Sequence, residues 1–170
     1  ADFAKQFPGR PYAGEVAYVD HCFGRLVEQL KQRGLYEDSL IVVFGDHGES
    51  LGEHGEEDHA FFVYDATLRV PLLVKAPGAA GAGAVVRNVQ ASLTDVLPTV
   101  LEALGVAGPP GDGVSLWAWV VGGEAPADLP RERYAETVMP LRFGWSPLCA
   151  VRTPEWKYIE APRPELYHLA

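Results

Sequence analysis

The sequence predicts an α/β fold: a mostly parallel sheet flanked by helices, followed by a small antiparallel subdomain at the carboxyl end. Three observations carry this expectation. Residues 12–33 repeat apolar side chains at the helical period, residues 40–44 (LIVVF) form an unbroken apolar run, and after about residue 130 short strands alternate with turn residues. A helix feeding a strand that is apolar on both faces is the pattern of a sheet covered by helices on each side. The division is expected near residue 129, with an α/β part over 1–129 and an antiparallel part over 130–170.

Taken in order, the first helix spans 12–33, with Val16, Val19, Phe23, Leu26, Val27 and Leu30 on one stripe. Glu15 suits its first turn, Lys31 and Arg33 suit its last, and Gly34 offers a left-handed terminus. The 40–44 run reads as an interior strand, and 70–75 (VPLLVK) as a second, with Pro71 near its start where a missing donor matters least. The small-residue stretch 77–84 (PGAAGAGA) matches no phosphate-cradling glycine motif and reads as a surface loop.

A second helix is expected over 94–105, capped by Thr94, with Asp95 behind it and Gly105 as terminator. Leu97, Val100, Leu101 and Leu104 form its apolar stripe, and Pro98 falls early enough to be tolerated. Residues 108–113 (GPPGDG) are turn chemistry. Strands follow at 133–138, 148–152 and 156–160, the last two joined as a hairpin through Thr153, Pro154 and Glu155.

A chain of 170 residues that is 48% apolar and 22% charged has ordinary globular composition and can bury a core of its own. The net charge of −9 argues against nucleic acid and anionic membrane surfaces as partners, since both call for a basic face. It does not exclude a small anionic substrate, because a bound cation inverts the local field. No apolar run approaches the roughly 18 residues of a membrane span. Cys22 and Cys149 form no CxxC and are expected to pack as small hydrophobes. A start at Ala and a stop at PELYHLA read as the ends of a piece of something longer.

Residues 45–59 (GDHGESLGEHGEEDH) hold three of the five histidines and six of the twenty-three acids, directly after the first strand. In open α/β sheets ligands gather beyond the carboxyl ends of strands, which is where Asp46 and His47 fall. On a tight turn permitted by Gly48, an adjacent carboxylate and imidazole can aim at one point and suit a divalent ion. Oxygen favours calcium, magnesium or manganese, and imidazole favours zinc or manganese. The spacing is neither HExxH nor an EF-hand loop. A solvated polar loop in which Asp46 caps the turn is the competing reading; Glu49 and Glu53 read as part of that solvated turn, with a role as partners supporting the metal ligands as their alternative.

The stretches YAGEVAYVDHCFGRLVEQLKQRGLYEDSLIVVFGDHGESLGEHG, YDATLRVPLLVKAPG, SLTDVLPTVLEALGV with DGVSL, and WKYIEAPRPELYHL occur in that order. Together they resemble the sulfatase family of the alkaline-phosphatase-like superfamily, over about residues 12–169. The resemblance implies a divalent-metal hydrolase of sulfate esters, or of phosphate or phosphonate esters, acting on a small anionic ester. It implies Asp46 and His47 as metal ligands, with calcium the usual ion and manganese or zinc admitted by the histidine. It implies His59 as the residue touching the substrate or its leaving oxygen, where many relatives carry lysine. A histidine does this only while protonated, and the neighbouring acids Glu56, Glu57 and Asp58 favour that form.

The family nucleophile, a formylglycine made from the first residue of a Cys/Ser-x-Pro-x-Arg motif, is not in this sequence. Cys22 and Cys149 each precede an arginine at the wrong spacing without the proline, and Thr137-Val-Met-Pro-Leu-Arg142 has one residue too many. The family's early Asp pair is absent as well, and His21 lies inside the first helix instead of upstream of it. The chain is therefore expected to be the carboxyl-terminal portion of such an enzyme, carrying part of the metal and substrate site and inactive alone. A non-catalytic binding remnant of the superfamily is the alternative from another class.

Overall fold

The computed structural model describes residues 2–79, 90–124 and 132–169. The chain divides into two compact units, Ala1–Ser39 with Pro77–Ala79, and Leu40–Ala76 with Ala80–Ala170. The expected boundary near 129 falls outside the described residues.

The first unit holds α1 (Phe3–Gln6) and α2 (Pro11–Gln32). Pro11 opens α2, where its fixed φ is already helical and its missing N–H goes unused. The first turn contains no acid, so Glu15 sits just past the place expected for it. At the other end Gly34 adopts φ +68°, its N–H donates to Lys31 O at 3.0 Å, and Leu35 N–H donates to Leu30 O at 2.9 Å. This paired closure satisfies carbonyls that the helix leaves open. Along the apolar stripe Phe23, Val27 and Leu30 are half-buried while Val16, Val19 and Leu26 remain exposed. Cys22 is also exposed, against the expectation of packing. Of the 77–84 stretch only Pro77–Ala79 is described, a single tight turn whose Gly78 N–H donates to Glu37 O at 2.8 Å.

In the second unit β1 (Ile41–Phe44) pairs with β2 (Leu72–Lys75) in an antiparallel ribbon, Ile41 opposite Lys75 and Phe44 opposite Leu72. The mostly parallel sheet expected here is not found, since every strand pair among the described residues is antiparallel. Nor is the ribbon covered on both faces: Phe44 is exposed and Leu73 is 60% exposed. An apolar run encodes burial but not the direction of its neighbour, and the chain returns beside β1 after a long polar excursion.

A turn at Leu93–Asp95 leads into α4 (Val96–Ala103), with α3 (Asp65–Leu68) preceding it in the chain. The cap is Ser92 and not Thr94: Ser92 Oγ accepts from Thr94 N–H while Asp95 reaches back to Ser92 N–H at 2.8 Å. Such a reciprocal box satisfies two open donors at once. The expected stripe is displaced, with Leu97 and Leu104 exposed and Thr99 buried. Thr99 Oγ1 donates to Asp95 O at 2.6 Å and accepts from Leu116 N–H at 2.9 Å, so its hydroxyl is fully used inside. A small gap beside it is lined by Val42, Leu72, Val74, Val96, Thr99 and Leu116, which places α4 on the ribbon. A single helical turn, α5 (Trp117–Val120), follows and was not expected from the sequence.

The carboxyl-terminal strands β3 (Arg133–Thr137), β4 (Leu148–Arg152), β5 (Trp156–Glu160) and β6 (Glu165–His168) form an antiparallel meander in chain order. The β4–β5 turn closes at Thr153, whose N–H donates to Trp156 O at 2.7 Å. The fourth strand is an addition to the three expected. On one sheet face Leu148, Ala150 and Ile159 pack with Val63, and Phe62, Tyr64, Ala161 and Tyr167 surround them. The segment directly after the polar cluster is thereby laid on this sheet.

The same face carries charge. Asp65, at the start of α3, pairs with Arg152 Nε at 3.1 Å and with the buried Lys157 Nζ at 2.7 Å. Fully buried Asp95 accepts from Arg133 at 2.9 Å and from Val114 N–H at 2.9 Å. Sheet, α3 and the start of α4 are held together by these groups as well as by apolar contact.

Candidate functional site

β1 ends at Phe44, and the ladder closes with Gly45 N–H donating to Pro71 O at 3.3 Å. Asp46 and His47 stand immediately beyond, both exposed. The bend is tied down at Gly48, whose N–H donates to Thr67 O at 2.7 Å. A Cβ on Gly48 would lie 2.1 Å from Ala66 O, so glycine is required here by the close approach of α3.

Asp46 Oδ1 accepts from His47 N–H at 3.1 Å, and Asp46 Oδ2 lies 3.9 Å from His47 Nε2. Two adjacent ligand atoms of one cation with bonds of about 2.3–2.6 Å stand about 3.3–3.7 Å apart. His47 Nδ1 meets Gly48 O at 2.9 Å. A carbonyl only accepts, so Nδ1 carries the proton and Nε2 presents its lone pair outward, the arrangement that orients a ligating histidine. The His47 ring is held above the ordinary histidine value, chiefly by this donation to Gly48 O; partial burial opposes the rise, and the charges of Asp46, Glu49 and Asp58 add to it.

His59 stacks on His47, ring centres 4.0 Å apart and planes 28° from parallel. Its Nδ1 is 2.8 Å from Asp58 Oδ1 and 3.3 Å from both Glu49 carboxylate oxygens. Glu49, Asp58 and His59 offer ligand atoms within 4.8 Å of one another, a second trio able to take a cation. Two imidazoles, three carboxylates and one backbone carbonyl thus converge at the end of β1. Such a set can hold a divalent ion and can present a protonated nitrogen to an anion.

The structure separates the third histidine from this group. His54, at φ +56°, lies flat on Tyr64 with ring centres 3.6 Å apart and its edge near Tyr167. Of the acids expected beside His59, Asp58 touches it, whereas Glu56 turns inward and accepts from Phe61 N–H at 2.9 Å and Phe62 N–H at 3.3 Å. Glu53 caps its own turn, accepting from Leu51 N–H at 2.6 Å, and that amide holds its carboxyl below the usual range. Glu49, read from sequence as part of a solvated turn, is the acid the sequence undervalued. It stands ten residues before His59, and no spacing rule links the two. A cavity of about 200 Å³ is lined by Phe62, Tyr64, Leu148, Ile159, Arg163 and Glu165 among others, and includes none of the residues converging at β1.

Comparison with known proteins agrees with the motif order. The sulfatase family model matches residues 9–106, more than half of the chain. The chain is 32% identical over 154 residues to choline-sulfatase of Rhizobium meliloti (strain 1021), covering 88% of this chain and 28% of that protein. It is 36% identical over 130 residues to the multifunctional alkaline phosphatase superfamily protein PehA of Trinickia caryophylli, covering 74% of this chain and 24% of that one. Among solved structures, the phosphonate monoester hydrolase SpPMH from Silicibacter pomeroyi superposes with a TM-score of 0.79 at 29% identity, over 99% of this chain and 39% of that one. The chain thus spans well under half the length of the relatives it matches. On the family match and these relatives together, the chain belongs to the sulfatase family of the alkaline-phosphatase-like superfamily.

Proposed function

We propose that this chain supplies one wall of the active site of a metal-dependent hydrolase of sulfate esters. The observation that carries the reading is the convergence of Asp46, His47 and His59 at the end of β1, with the two rings stacked at 4.0 Å. Asp46 and His47 are the metal ligands, with calcium the first expectation and manganese or zinc admitted by the imidazole. The donor set fits such an ion, since an exposed carboxylate oxygen stands beside a nitrogen whose tautomer is already fixed. When bound, the ion neutralises the anionic oxygens of the ester and polarises its centre. His59 works beside it: Nδ1 lies 2.8 Å from Asp58 and 3.3 Å from Glu49, which leaves Nε2 as the ring atom for the substrate's leaving oxygen and the charge that grows there.

The nucleophile is not among these 170 residues, because no Cys/Ser-x-Pro-x-Arg occurs in them. It comes, as formylglycine, from an amino-terminal part of a longer parent, which also brings the parallel neighbours of β1. Residues 1–129 are then the end of the α/β domain and 130–170 its antiparallel subdomain. The 170-residue chain alone has no turnover.

A phosphate- or phosphonate-ester hydrolase of the same superfamily is the second reading, favoured by the likeness to SpPMH. The full-length parent, assayed on 4-nitrophenyl sulfate, phosphate and phenylphosphonate, decides between them by which ester is turned over fastest. Asp46→Ala and His47→Ala are each expected to lower kcat/KM at least about a hundredfold and to weaken cation binding in calorimetry. A parent that hydrolyses none of the three leaves the non-catalytic remnant as the better reading. Measurable turnover by the 170-residue chain would refute the assignment of the nucleophile to another segment.

A further inference from the structure

We propose that Thr137 and Glu56 are positioning residues that fix His59 by clamping a strained turn at Ala60. The inference rests on the reading of His59 as the substrate contact. Ala60 adopts φ +100°, a conformation that residues with a Cβ rarely take and that persists only where the surroundings impose it. The constraints on it come from both sides. Thr137, at the end of β3, donates from Oγ1 to Ala60 O at 2.7 Å. Glu56 Oε1 accepts from the next two amides, Phe61 N–H at 2.9 Å and Phe62 N–H at 3.3 Å.

Glu56 is only 6% exposed, and its Oε2 is buried without a hydrogen-bond partner among the described residues. Burying a carboxylate with one oxygen idle is costly, which argues that the amides it gathers matter to the fold. The clamped turn sends neighbouring side chains apart. His59 goes to His47 and Glu49, whereas Phe61 lies against Phe143 and Trp145 at 5.3 and 5.8 Å between ring centres. Phe62 and Val63 then enter the sheet core. If the turn relaxes, the core contacts still hold residues 62 and 63, and His59 is the side chain released.

The test has two readouts. In the 170-residue chain, the nuclear Overhauser contact between the His47 and His59 rings is expected to vanish in Thr137→Val and to persist in Thr137→Ser, which keeps the hydroxyl. In the full-length parent, Thr137→Val is expected to lower kcat roughly tenfold or more on esters with poor leaving groups, less on 4-nitrophenyl esters, with KM little changed. Ala60→Gly removes the strain but keeps the backbone groups that Thr137 and Glu56 clamp, so it is expected to keep or raise Tm and to leave the ring contact and kcat in place. In a His59→Ala background Thr137→Val should have no further effect on kcat. An intact ring contact in Thr137→Val, or losses that simply add to that of His59→Ala, would overturn the proposal. A His59→Ala parent with unchanged rates, beside a ring contact that still depends on Thr137, would instead sink the reading of His59 as substrate contact.

Discussion

A methyl group at position 48 would sit 2.1 Å from Ala66 O, far inside any tolerated carbon–oxygen contact, because Gly48 N–H already holds Thr67 O at 2.7 Å. The bend carrying Asp46 and His47 is thereby pinned to α3 by backbone alone, without a side chain that could adjust. Gly48→Ala must push α3 and the bend apart. It is expected to cost roughly 1–3 kcal/mol in urea unfolding, the range of overpacked sites. Because His47 Nδ1 takes its orientation from Gly48 O, the same substitution should weaken cation binding. A variant that loses stability yet binds calcium or manganese as before would show that the bend does not orient His47.

Between elements, the ion pairs of Asp65 do what apolar contacts alone do not. Asp65 joins α3 to β4 through Arg152 and to β5 through Lys157. Burial by itself would raise the Asp65 carboxyl, but Lys157 and then Arg152 outweigh it and hold it below the usual range. Burial likewise lowers Lys157, with Asp65 only partly restoring it. A carboxyl lowered on folding gives stability that is fully present above its unfolded value of about 3.9 and is lost as pH falls through the folded value. Asp65→Asn is therefore expected to flatten the acid limb of the stability profile below about pH 4. At neutral pH it should destabilise by about 3 kcal/mol, since two cations are left without their carboxylate. An unchanged acid limb in urea titrations would show that the pairs are not coupled to folding.

This network also marks where the sequence stops being legible. The helix at Pro11–Gln32 and strands β4 and β5 were readable because period, caps and turn residues are local. The direction of β2 was not, since it depends on a contact between Ile41 and Lys75 that apolar composition does not encode. Asp65, Arg152 and Lys157 look like ordinary surface charges until the fold brings them together. At the candidate site, Asp46 and His47 were legible as neighbours beyond a strand. His59 stacks on His47 while His54 stacks on Tyr64, in a loop with positive φ at His54 and Ala60 that no composition announces.

Across the whole molecule, apolar side chains remain on the outside of well-formed elements. Val16, Val19 and Leu26 on α2, Phe44 and Leu73 on the ribbon, and Leu97 and Leu104 at α4 are all exposed. Single exposed hydrophobes are normal, but stripes of them on regular elements mark surfaces that are covered in use. The chain also spans only 28% of the choline-sulfatase it resembles, so relatives have ample further sequence to provide such cover. The contrast to measure is Leu73→Lys in two settings. In the 170-residue chain the substitution places a charge in water, and Tm should hold within a degree or two. In the longer parent proposed above the same lysine would be forced into an apolar interface, and a loss of about 2 kcal/mol or more is expected in denaturant unfolding. Equal tolerance in both settings would mean that the ribbon's outer face is solvent-facing in the parent too, and that β1 gains no neighbours there.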